Sequence, residues 1–141
     1  MKRFFLITIV MSIVLFADFT RKNGVVTDTS TLLEWQDSYV DNSNEVKGAL
    51  FAPAISYCEN LILNGYSDWR LPNIKELLSL VDDAYYAPAI NPIFKNTYSF
   101  AYISSTTTSS SGYNIWYVSF NKGQTFTDSK AYDSGYIRCV R

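Results

Sequence analysis

The chain has 141 residues, 48% hydrophobic and 16% aromatic, with 12 basic and 13 acidic side chains, no histidine and a formal net charge of −1. That balance excludes a protein that grips nucleic acid by massed positive charge, and it disfavours anionic polysaccharides on the same ground. The missing histidine removes the commonest general base and metal ligand, and the length suits one domain with a single core.

Lys2 and Arg3, an apolar run from Phe4 to Phe16, and Ala17 before the first acidic residue, Asp18, read as an export signal. The run is well short of the roughly 20 residues a membrane span needs. Leu15 stands where a cleavage site prefers a small residue, so cleavage after Ala17 is expected and retention as an uncleaved anchor is the alternative. No cysteine follows closely enough to suggest a lipid anchor. Cleavage removes two basic residues and no acidic one, leaving residues 18–141 as one domain with a net charge of −3. The expected location is the periplasm, the cell surface or the exterior.

Gly24 to Thr27, a polar Asp28–Thr31 turn and Leu32 to Trp35 predict a hairpin of two short strands, and Asp41 to Asn44 a loop. Ile55, Cys58, Leu61 and Ile62 fall at helical spacing from Ala54, with Pro53 in the first turn and Gly65 as the stop. A second helix is predicted from Ile74 to Asp82. Asn73 caps it, Glu76 reaches back, and Ile74, Leu77, Leu78 and Val81 form its apolar stripe. Pro88 and Pro92 make Tyr85–Asn96 an ordered loop packed by aromatics. Strands follow at Phe100–Ser104, Ile115–Phe120, Gln124–Thr127 and Tyr136–Val140, with Asn121-Lys122-Gly123 as a tight turn. Strands, two helices, then strands predict an α+β fold with mainly antiparallel short strands.

Cys58 and Cys139 are the only cysteines. With no histidine and no Cys-x-x-Cys spacing, one disulfide is more economical in an exported chain than a metal site. Closing a loop of about 80 residues stabilises by about 4.5 kcal/mol in the chain-entropy account.

The segments Leu33–Gln36, Tyr57–Leu61, Asp68-Trp69-Arg70-Leu71-Pro72 with Glu76-Leu77, Ser104–Thr106 and Ile137–Arg141 resemble, in order, the Lcl C-terminal domain family, named for a collagen-like bacterial adhesin. The Asp68–Pro72 piece followed by Glu76 is the specific part. The resemblance implies a C-type-lectin-like fold, with a cysteine on the first helix bonded to one on the last strand. It also implies cell-envelope exposure and, from the best-known member, a role in adhesion or ligand capture. Ile103 stands where the family tends to place tryptophan, and no collagen-like repeat is present, so stalk-driven trimerisation does not carry over.

Aromatic faces suit the apolar side of a sugar ring, but Trp35 and Trp69 read as core, leaving Trp116 as the exposed candidate. Arg70 reads as structural, bonded to carbonyls or to a carboxylate near a helix start. The run Ser104–Ser111 admits three readings: a mobile linker, an O-glycosylated patch, or a binding loop. Tyr102, Tyr113, Asn114 and Trp116 around it make a candidate surface for a glycan or surface protein. Asp82 and Asp83 are weak calcium candidates, since calcium takes 6–8 oxygens; no cofactor is otherwise indicated. Catalysis is not expected. Serines lack a base, and no spacing selects a pair from Glu34, Asp37, Asp82 and Asp83 for glycoside hydrolysis. The leading reading is therefore a non-enzymatic recognition or adhesion domain using the 102–116 region. A structural or assembly module of the envelope and a carboxylate glycosidase are the alternatives, and the oligomeric state stays open.

Overall fold

The computed structural model describes residues 18–110 and 112–141; the export signal expected at residues 1–17 lies outside them. Asn23 and Gly24 have φ of 50° and 73°, and they turn β1 (Phe19–Lys22) back onto β2 (Val25–Asp28). Two residues at positive φ are what a tight hairpin needs, and Asn-Gly adopts them at least cost. β2 then pairs antiparallel with β3 (Glu34–Gln36), Val26 opposite Trp35. The predicted hairpin is present, and β1 is a strand beyond those predicted. Asp28 Oδ1 closes the β2–β3 turn by accepting from the Ser30 amide at 2.8 Å and its hydroxyl at 2.6 Å.

The second sheet runs in the order β4 (Gly48–Ala49), β8 (Gly135–Tyr136), β5 (Ala101–Thr107), β6 (Asn114–Ser119), β7 (Gln124–Ser129). All pairs are antiparallel except β5 with β8. Successive strand residues face opposite sides. Ile103, Ile115 and Tyr117 therefore pack with Ala54 and Cys58 of helix α1 (Phe51–Asn60), while Tyr102 and Val118 pack with Leu77 of helix α2 (Ile74–Leu78). The sheet is thus covered on both faces, and the fold is α+β as predicted. Among the described residues, no helix is long and apolar enough to cross a membrane.

Both helices end earlier than their apolar periodicity predicts. α1 stops at Asn60, leaving Ile62 exposed, and Gly65 serves the turn between Leu63 and Tyr66 instead. α2 has the predicted Asn73–Glu76 capping box but ends at Leu78, which is exposed, while Leu80 takes the buried place. Beyond it Val81 bridges to Ile90, and that pairing draws the chain out of the helix. In the 85–96 loop the packing comes from Ala89, Ile90 and Phe94; Tyr85 and Tyr86 are exposed. β5 runs on to Thr107, three residues beyond the predicted end, and so takes in half of the serine and threonine run. The last predicted strand shortens to β8. The residues after it are held by bridges from Val140 to Trp35 and to Arg70. Gly123 has φ 69°, and a Cβ there would lie 2.6 Å from Val81 Cγ1, so the β6–β7 turn needs glycine on two counts.

Candidate recognition surface and its supporting clamp

The final residues are held from three directions. Cys139 and Cys58 form the predicted disulfide, with Cα atoms 5.5 Å apart and both residues fully buried. The Cys139 amide donates to Gln36 Oε1, and the Gln36 amide donates to the Cys139 carbonyl at 2.9 Å. Arg70 and Val140 exchange both backbone hydrogen bonds at 2.9 Å.

The Asp68–Pro72 motif is the frame of this clamp. Trp69 is buried, and its indole N–H donates to the Tyr66 carbonyl at 3.1 Å. Arg70 forks onto Glu76 with bonds of 2.8 and 2.6 Å, as a structural arginine near a helix start should. Those bonds hold the Glu76 carboxyl below the usual carboxylate range, ahead of the opposing effect of burial. Asp68 accepts from Arg141 Nε at 2.6 Å; Arg141 also pairs with Glu34 and lies over the Tyr66 ring. The Pro72 carbonyl accepts from the Ser105 amide at 2.8 Å, tying α2 to β5.

A buried ion pair, Asp37 with Arg138, organises the other side. Both are 0% exposed. Arg138 donates to Asp37 Oδ1 at 3.2 Å, and at 2.8 Å to the Gln36 and Asn96 carbonyls and the Thr97 hydroxyl. Asp37 also accepts from Arg21 Nε at 2.6 Å and from the Lys95 and Asn96 amides at 2.9 and 3.0 Å. Phe94 and Tyr102 flank the guanidinium, at 4.7 and 5.6 Å from ring centroid to Cζ. Neither residue carries a local signal of this role, because 101 positions separate them.

The predicted binding residues divide. Tyr102 is fully buried, its hydroxyl accepting from the Tyr98 amide at 3.0 Å and its ring edge-on to Phe120, so it is removed from the surface set. The reason is strand alternation: Tyr102 lies opposite Val118, on the side that α2 covers. Tyr113 is 78% exposed, whereas Asn114 and Trp116 are half-buried. Of the three tryptophans, Trp35 and Trp69 are core as expected, and Trp116 alone reaches the surface.

Trp116 lies opposite Thr127, with Asn114 opposite Ser129 and Val118 opposite Thr125. Alternation therefore sets Asn114, Trp116, Thr125, Thr127 and Ser129 on one face, an indole among hydroxyl and amide groups. The three β7 residues could not be assigned from sequence, since register decides them. Val118 shares that face and packs with Leu77 of α2, while on the opposite face Ile115 and Tyr117 pack with Ala54 and Cys58 of α1. Ser104 is fully buried and donates to the Trp116 carbonyl at 2.7 Å, and the Ile74 amide donates to Thr106 Oγ1 at 2.9 Å. Residues 104–107 are therefore strand rather than mobile linker.

None of the carboxylates singled out for calcium or hydrolysis, Glu34, Asp37, Asp82 and Asp83, belongs to β6 or β7. Asp37 is buried and saturated, Glu34 pairs with Arg141, and Asp82 accepts from the Ala84 amide at 3.0 Å. Among the described residues, no group of three or more acidic, cysteine or histidine side chains is placed to hold a metal. Surface grooves of about 450 and 380 Å³ lie elsewhere, the first beside Phe100, Gly135 and Tyr136, the second beside Tyr85, Tyr86 and Phe94.

No curated protein matches the chain. The family model for the Lcl C-terminal domain matches residues 24–141, which include the disulfide, the Asp68–Pro72 clamp, the Asp37–Arg138 pair and the Trp116 face. The chain belongs to the Lcl C-terminal domain family.

Proposed function

We propose that the protein is an exported, non-enzymatic recognition domain that binds a glycan or a surface protein through the face centred on Trp116, with Tyr113 and Asn114 at its rim. The observation that carries this reading is the half-buried indole set among Asn114, Thr125, Thr127 and Ser129 on a sheet braced from behind. An aromatic face takes the apolar side of a pyranose while neighbouring hydroxyls and amides take its polar edge. A flat platform suits one stretch of an extended chain better than an enclosed small molecule. Membership of a family named for an adhesin points the same way. The C-type-lectin-like reading of the scaffold rests on the covalent link between the first helix and the terminal segment.

A glycan array and a cell-surface pull-down, each with and without EDTA, test the proposal. Trp116→Ala should weaken any binding found by at least tenfold, equivalent to about 1.4 kcal/mol. Binding that survives Trp116→Ala and Tyr113→Ala at full strength would place the site elsewhere.

A further inference from the structure

The sheet edges are not alike. β1 carries Arg21 and Lys22, β4 is two residues long, and β3 is covered by the chain's own terminal segment. β7, with the sequence QTFTDS, is six residues long, exposed for five of them, and pairs with β6 in unbroken register. It has no proline, no basic residue and no bulge, the devices that ordinarily blunt an edge.

We propose that β7 is the docking edge for a second copy of the chain, two β7 strands pairing antiparallel about a twofold axis. Lys130 N donates to Tyr113 O in the β6–β7 ladder, so by alternation the even-numbered residues of β7 bond inward and the odd-numbered ones point outward. The Ser129 carbonyl already accepts from the Asp133 amide. That leaves the N–H and C=O groups of Thr125 and Thr127 as the outward set. A twofold centred on Phe126 sets Thr125 against Thr127 of the other copy, and the reverse, so each outward N–H meets an outward C=O.

The side chains agree with that register. Phe126 falls opposite itself, in a pair whose side chains lie close, and each Phe126 already stacks on Tyr117 with centroids 5.3 Å apart. Asp128 falls opposite Gln124. A centre one residue further on would call on the occupied Ser129 carbonyl, and a centre at Asp128 would oppose two aspartates. The dimer leaves the Trp116 faces of both copies on the same side of one continuous sheet. The inference rests on β7 alone and stands whether or not that face binds a glycan.

Sedimentation of the full chain, exported to an oxidising compartment and purified from it, tests the proposal. A concentration-dependent dimer is expected. Thr127→Pro removes an outward N–H and should give a monomer with unchanged circular dichroism and melting temperature, since an edge strand tolerates proline there. Phe126→Cys should oxidise to a covalent dimer, whereas Gln124→Cys, opposite Asp128, should not. A wild-type chain that stays monomeric up to about 1 mM, the weak end of the useful affinity range, overturns the proposal. So does a dimer that ignores Thr127→Pro or crosslinks through position 124 instead of 126, and so does a monomer that takes up a threonine-rich peptide along β7.

Discussion

Asp37→Ala is the sharpest test of how the interior is held. The substitution leaves the Arg138 guanidinium buried without its counterion and takes the acceptor from the Lys95 and Asn96 amides. Breaking a buried pair from one side costs about 3–5 kcal/mol, and each orphaned buried donor about 1–3 kcal/mol more. The 95–96 segment is partly exposed, so water recovers some of the second cost; the expected total is about 4–6 kcal/mol. Arg138→Met keeps the volume and leaves Asp37 with Arg21 and the two amides, so it should cost about 2–4 kcal/mol. Urea denaturation of the disulfide-intact protein at neutral pH, followed by circular dichroism, measures both. The pair Asp37→Ala with Arg138→Met should cost less than the sum of the two single changes by at least about 1 kcal/mol. An Asp37→Ala loss below about 1 kcal/mol, or strict additivity, refutes the reasoning. A catalytic carboxylate would behave in the opposite way, since its removal tends to spare or raise stability.

Two further outcomes are expected. The disulfide closes a separation of 81 residues; replacing both cysteines with alanine should lower unfolding free energy by about 4.5 kcal/mol in the chain-entropy account, read from the same denaturation curves. Glu76 has a folded-state pKa below its ordinary value because of Arg70, so the unfolded chain binds its proton more readily. Its contribution is present above about pH 4.3 and fades as pH falls through the lower folded value, so Glu76→Gln should flatten the acid limb of a stability–pH profile.

Local chemistry made several features legible. Asn73 and Glu76 announce a capping box, Asn121-Lys122-Gly123 announces a turn, and a lone cysteine pair without histidine or Cys-x-x-Cys spacing announces a crosslink. Asn23-Gly24 is also a hairpin signal in the sequence, and both residues take the positive φ that such a turn needs. Helix ends were not legible, because Ile62 and Val81 keep helical spacing after the chain has left the helix for a turn and for the bridge to Ile90. Periodicity records where apolar residues recur but not which partner claims them. Tyr102 is the instructive error: beside a serine and threonine run it reads as rim, and only its register against Val118 sends it inward. The Asp37–Arg138 pair and the threonines around Trp116 depend on contacts between distant segments, which no local pattern encodes.

The placement of Arg138, Cys139 and Val140 has a consequence for biogenesis. These late residues supply the guanidinium, the sulfur and the bridging backbone that the first helix, the 95–97 turn and Arg70 require. A nascent chain lacks all of them until residue 140 has left the ribosome. The contacts that join these segments therefore form only once residues 138–140 are available.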